Sequence, residues 1–255
     1  MMIHNDNEQK RKGVETTLER TWNLFDAVQH YVSDEASPGY DRPDFAARAQ
    51  ELVPDSQDES RRVLDRANLE KVAELIHSCT SCQLSLTRVH AVPGEGVLNA
   101  RLMVIGEGPG ADEDTTGKPF VGRAGKYLDA WLSAINLSRT ENTYITNIVK
   151  CRPPGNRDPL PEEVQACLPY LKRQIALVKP DAILCLGRVA AHVLLSREDA
   201  LRDLRAVIHR FEGIPLVVTY HPAAVLRNLQ LRAPVWDDLK RVAELVGMPL
   251  NRTGR

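Results

Sequence analysis

The chain has 255 residues, with 33 Lys and Arg against 34 Asp and Glu, 43% hydrophobic residues and 26% charged ones, the balance of a folded soluble domain rather than of a disordered or fibrous chain. No run nears the roughly 18 apolar residues of a membrane span, and Met1–Lys12 lacks the apolar centre of a secretory signal, so a cytoplasmic protein without a membrane partner is expected. The small net charge hides an asymmetry, since residues 1–60 hold 6 Lys and Arg against 13 Asp and Glu, a net of −7, while residues 61–255 hold 27 against 21, a net of +6.

In chain order, Val14, Leu18, Trp22, Phe25 and Val28 recur at steps of three or four and predict an amphipathic helix over residues 13–33. Ser, Pro, Gly and Asp then dominate to Ser60 with few hydrophobics, the composition of a linker. Residues 1–60 are thus expected to form an acidic extension, a helix plus a weakly ordered linker, and residues 61–255 the working domain. In that domain a charged helix is expected around 61–78. Leu102 to Ile105 is a short apolar run closed by Gly106, the pattern of a buried strand, and Ala124–Ile135 carries Leu128, Trp131, Leu132 and Ile135 at helical spacing. Tyr144–Val149 predicts the next strand. Pro161-Glu162-Glu163 opens a helix to about Val178, because proline loses nothing at the first helical position and carboxylates suit the positive end of the helix dipole. Strands at 181–186 and 216–219 alternate with helices at 190–195 and 235–246. Helices between strands predict a three-layer α/β/α fold around a mostly parallel four-stranded sheet, in which ligands sit beyond the carboxyl ends of the strands.

Chemistry-bearing motifs fall at those ends. Gly106-Glu107-Gly108-Pro109-Gly110 follows the first predicted strand and lets backbone N–H groups approach a ligand. It lacks both the Gly-x-Gly-x-x-Gly pattern and the Gly-Lys-Ser/Thr ending, so it is neither a dinucleotide fingerprint nor a phosphate loop. Taken singly, Phe120 reads as core, Asn147 as a strand-end cap and the His221-Pro222 pair as a surface turn. Five cysteines are too few and too unevenly spaced for a secreted disulfide scaffold. Cys79-x-x-Cys82 and the pair Cys151 and Cys167 look like metal ligands. Spacing leaves zinc and an iron–sulfur cluster open, zinc slightly ahead. Cys185 lies in an apolar run and reads as a small buried hydrophobe.

Three stretches together resemble the family 4 uracil-DNA glycosylases, the iron–sulfur branch of that superfamily. They are Ala111 to Gly125, containing Gly117-Lys118-Pro119-Phe120-Val121-Gly122; Tyr144 to Arg157, containing Asn147-Ile148-Val149-Lys150-Cys151-Arg152-Pro153-Pro154; and His221-Pro222-Ala223-Ala224-Val225-Leu226-Arg227. The likeness spans roughly residues 70–247. It implies a DNA repair hydrolase that flips uracil out of DNA and cleaves its N-glycosidic bond, leaving an abasic site, with uracil-containing DNA as its partner and the chain acting as a monomer.

By that likeness Phe120 would stack on the flipped base. Asn147 would pair with uracil N3–H and O4, a pattern that cytosine reverses. His221 would donate to O2, where negative charge grows as the bond breaks. Gly106, Glu107 and Gly108 would complete the uracil pocket, and Glu113 would crowd the base near C5 against the methyl of thymine. The family has a glycine, here Gly108, where better-studied relatives carry an Asp beside the attacking water, which leaves Glu107 as candidate base and Asn156 as candidate water-positioning residue. Val225 and Leu226 would fill the space left by the extruded nucleotide, and Arg227 would hold a phosphate. The likeness also implies a [4Fe-4S] cluster on Cys79, Cys82, Cys151 and Cys167. Two alternatives are a relative that becomes covalently attached to uracil-DNA and an iron–sulfur module that binds DNA without turnover. The first carries a basic insert with its own histidine, and neither feature occurs between Asn147 and Pro161.

Overall fold

The computed structural model describes residues 63–248 and Leu250. The helix expected at 13–33 and the linker up to Ser60 lie outside these residues. The elements are α1 (Leu69–His77), β1 (Glu95–Gly96), β2 (Leu102–Gly106), α2 (Ala111–Thr116), α3 (Arg123–Ala134), β3 (Thr143–Asn147), α4 (Pro161–Val178), β4 (Ala182–Leu186), α5 (Arg188–Leu195), α6 (Leu201–Leu204), β5 (His209–Phe211), β6 (Ile214–Thr219), α7 (Pro222–Arg227) and α8 (Arg232–Leu245). Among the described residues no helix is long and apolar enough to cross a membrane.

The sheet runs in the order β1-β3-β2-β4-β6-β5. Its four central strands are parallel, as expected, but the sheet has six strands rather than four. The extra two, β1 and β5, pair antiparallel at the edges. They are two and three residues long and only half buried, too short and too polar to leave a period-two pattern in the sequence. The central strands β2, β3 and β4 are buried at every position, because helices cover both faces.

The alternation of side chains along each strand divides the core into two layers. Met103 and Ile105 of β2, with Ile183 and Cys185 of β4, pack with Val72 and Ile76 of α1 and Leu171 and Ile175 of α4. Leu102 and Val104, with Leu184 and Leu186, pack with Leu128 and Leu132 of α3 and Leu239 and Val242 of α8. Cys185 is wholly buried in the first layer. At the N-terminus of α4, the Glu163 carboxylate accepts the Leu160 N–H at 2.8 Å and binds Arg157 at 2.6 Å, which fixes the loop leading into that helix. The register pairs Gly106 with Asn147 at the carboxyl ends of β2 and β3, so the two motifs adjoin.

Candidate active site

A cavity of about 390 Å³ opens beyond these strand ends, within the range of small-molecule sites. Its lining includes Glu107, Gly108, Gly110, Glu113, Phe120, Asn147, Asn156, His221 and Arg227. Asn147 terminates β3 with only 1% of its surface exposed. Its side-chain oxygen, Oδ1, is buried without a hydrogen-bond partner. A buried acceptor left in this state costs about 1–3 kcal/mol and marks a place where a ligand donor belongs.

Gly106 explains how the amide and the Phe120 ring come so close together. A Cβ there would lie 2.5 Å from Asn147 Oδ1 and 2.6 Å from Phe120 Cζ, so only glycine leaves room for both. Phe120 itself is buried at φ +52°, a left-handed conformation rare for an aromatic residue. Its ring centroid lies 5.7 Å from that of His221, tilted by 32°.

His221 is the N-cap of α7, with Pro222 at the first helical position. Its Nδ1 accepts the Ala223 N–H at 3.2 Å, so the neutral ring carries its proton on Nε2. Burial, and next the charge of Arg227, pushes the imidazole down to about 4, with Glu113 opposing. At neutral pH the group is therefore an uncharged donor. Glu107 goes the other way, raised to about 7 by burial and then by the Asp158 carboxylate, with Arg188 opposing. A carboxyl in that range accepts a proton near neutrality far more effectively than an ordinary one.

Residues 93–240 match the uracil DNA glycosylase superfamily. A type-4 uracil-DNA glycosylase of Archaeoglobus fulgidus is 43% identical over 188 residues, 71% of this chain and 94% of that protein. One from Pyrobaculum aerophilum is 46% identical over 180 residues, 68% of this chain and 91% of its own, and one from Thermotoga maritima 41% over 182 residues, 70% and 94%. The chain belongs to the type-4 uracil-DNA glycosylases.

Several residues of this type-4 chain stand differently from their expected places. Val225 is 0% exposed and packs in the second core layer. Its side chain thus faces the core, whereas the expected wedge calls for one at the surface. The cause is α7, a helix where the sequence suggested a plain turn, which directs Val225 inward, leaves Leu226 partly buried and exposes Arg227. Leu229, two residues farther on, is 55% exposed, and nothing in its local sequence separates it from a core leucine. Glu113 lines the cavity, but its carboxylate accepts three backbone N–H groups: Gly110 at 3.1 Å, Val121 at 2.9 Å and Gly122 at 3.0 Å. It therefore clasps the loop that carries Phe120. Asn156 sits exposed at the rim at φ +55°, and its side-chain oxygen accepts from Arg152 Nε at 2.8 Å.

Lys150, a surface cation by its sequence, belongs to the base of this site. Its ammonium is wholly buried and donates to Thr146 Oγ1 at 2.6 Å, to the Asn147 carbonyl at 2.7 Å and to Gln174 Oε1 at 2.8 Å. It thus holds the backbone of Asn147 from below. Burial pushes this lysine down to about 8, with Cys167 and Cys151 opposing. Its one signal in the sequence is its place between Asn147 and Cys151, and a lysine after a strand ordinarily reads as surface.

The four candidate ligand cysteines line one small pocket, with Arg88, Lys150 and Tyr170 beside them. Arg88 Nη1 donates to Cys151 Sγ at 3.1 Å and the Lys150 N–H to Cys167 Sγ at 3.3 Å. Among the described residues no group of three or more His, Cys, Asp or Glu side chains is arranged to hold a single metal ion. The donor set nevertheless fits a cluster: four thiols brought together from distant positions line the same pocket, and N–H donors already point at two of the sulfurs.

Proposed function

We propose that this chain hydrolyses the N-glycosidic bond of uracil extruded from DNA, releasing free uracil and leaving an abasic site. The observation that carries the reading is the unpartnered Oδ1 of Asn147, buried against the Phe120 ring with an uncharged imidazole donor close by. Uracil offers N3–H to that oxygen and O4 to the amide N–H₂, while its face rests on Phe120. Cytosine presents an acceptor at N3 and a donor at C4, leaving polar groups unpaired on both sides, the kind of mismatch that produces strong discrimination.

As the bond to C1′ lengthens, its electron pair passes into the base and negative charge gathers on O2. The Nε2–H of neutral His221 donates to that oxygen, a contribution that grows in the transition state. A water then adds to the sugar at C1′, and Glu107 takes its proton, with Asn156 orienting the water. Arg227 holds a backbone phosphate. Leu229, rather than Val225, supplies the exposed apolar side chain for the vacated space in the stack.

Cys79, Cys82, Cys151 and Cys167 would hold a [4Fe-4S] cluster, which would supply a cross-link between the segment after α1, the segment after β3 and α4. Hydrolysis transfers no electrons, so this role is structural. Anaerobic purification should give a brown protein with about four irons, whereas a colourless protein holding zinc would overturn the cluster assignment.

A fluorescent oligonucleotide containing one uracil, incubated with the protein and then treated with alkali, is expected to break at the uracil. A shifted band that survives denaturation would instead identify a covalent binder, and a reversible shift without breakage a binding module. Either result overturns the reading.

A further inference from the structure

Phe120 keeps its left-handed backbone because its surroundings leave it no alternative, the condition under which such conformations persist at working sites. Two of the restraints are local. A Cβ on Gly125 would fall 1.8 Å from the Phe120 carbonyl oxygen, so the start of α3 closes over that carbonyl only because residue 125 is glycine. Glu113 binds the N–H groups of the next two residues.

The third restraint comes from the segment joining α3 to β3. Arg139 Nη1 donates to the Pro119 carbonyl at 3.0 Å and Nη2 to the Phe120 carbonyl at 2.9 Å. The same guanidinium is oriented by Asp129 on α3, whose Oδ1 accepts from Nε at 2.9 Å and from Nη2 at 2.7 Å. Its side chain is only 18% exposed. A planar fork fixed on one side by a carboxylate can grip two successive carbonyls on the other, which a lysine ammonium, a single point of charge, cannot reproduce. With both carbonyls turned to Arg139, the ring is left facing Gly106, Asn147 and His221.

We propose that Arg139 is a positioning residue for base excision: it holds the Pro119–Phe120 kink and thereby aims the stacking ring at the extruded base. The inference rests on reading Phe120 as the ring that stacks on uracil. Arg139 touches no reacting atom and acts through the backbone of Phe120.

The test is a double-mutant cycle on the full chain, with R139L, F120A, the double variant and R139K. Melting temperature is measured together with kcat and KM on a uracil oligonucleotide. R139L is expected to fold and to lower kcat/KM by about 10- to 100-fold, the scale on which a misplaced group costs activity. R139K is expected to recover only part of the loss. In the F120A background, R139L should change activity by less than about threefold, since the ring it positions is gone. The proposal fails if R139L stays within about threefold of the parent, or if its loss is undiminished in the F120A background. Should R139L not fold, the R139K and F120A pair carries the same cycle. Full activity of F120A alone would remove the stacking reading and this proposal with it, whereas an inactive F120A beside an unimpaired R139L would remove this proposal alone.

Discussion

Adding a single methyl group at Gly106 is the sharpest test of how the cavity is built. The backbone there is ordinary extended strand, paired in register with Asn147 and accepting the Ile148 N–H at 2.9 Å, so alanine brings no conformational strain. It does bring a Cβ at 2.5 Å from Asn147 Oδ1 and at 2.6 and 3.0 Å from Phe120 Cζ and Cε2. Ordinary contact begins near 3.5 Å, so the amide and the ring must together give way by about 1 Å, since a central strand of a buried sheet cannot. A displacement of that size at groups that position a substrate costs about 10²-fold in rate, equivalent to about 2.7 kcal/mol of transition-state stabilisation. Overpacking costs stability of about 1–3 kcal/mol as well. Single-turnover excision on a uracil oligonucleotide, with melting temperature measured in parallel, separates the two effects. If Gly106→Ala excised uracil within about threefold of the parent, neither Asn147 nor Phe120 would need its present position, and the reading of the cavity would be refuted.

Four further outcomes follow from the same geometry. His221→Ala should lower kcat by roughly 10²–10³-fold, as loss of a donor to a developing anion does. Because His221 is held near 4, the pH–rate profile of the Glu107→Gln variant, freed of the carboxyl limb, should show no limb at the ordinary histidine value of 6.5. The folded value lies below the unfolded one, so the stability contributed by this group is lost as pH falls from 6.5 toward 4. If Glu107 is the base, kcat should rise with pH around a midpoint of about 7, and Glu107→Gln should flatten that limb and lower the plateau by about 10²-fold. Here the folded value lies above the unfolded one, so stability is lost as pH rises through about 7, and the glutamine variant should escape that loss in thermal melts. Val225→Ala should cost about 2 kcal/mol of stability through its core cavity. Leu229→Ala should leave the melt unchanged and weaken binding to uracil-containing duplex, measured by fluorescence anisotropy; equal effects from both variants would contradict their placement.

The four parallel strands and the long helices were legible because each carries its own period. Leu102 to Ile105 is apolar without interruption, and Pro161-Glu162-Glu163 announces a helix that begins at Pro161 and ends at Val178. The edge strands β1 and β5 were not, since two or three half-buried residues pair only because a neighbour already stands in place. The short helix α7 hid behind His221-Pro222, and with it the inward turn of Val225. Lys150 and Arg139 were invisible for a related reason: each reads as a surface cation until partners 24 and 20 residues away, Gln174 and Pro119, close around it.

Residue types and their spacing along the chain were enough to determine the layered α/β architecture and to put the motifs at the carboxyl ends of the strands, while the family and the expected site residues came from the likeness of those motifs to known glycosylases. Local preference and hydrophobic period act over a few residues and survive in any linear reading. The tertiary structure alone decided that Asn147 keeps an unpartnered oxygen, that His221 is uncharged, that Glu113 clasps a loop and that Val225 belongs to the core. Those properties depend on burial and on contacts between segments distant along the chain, and they arise only when the sheet brings those segments side by side.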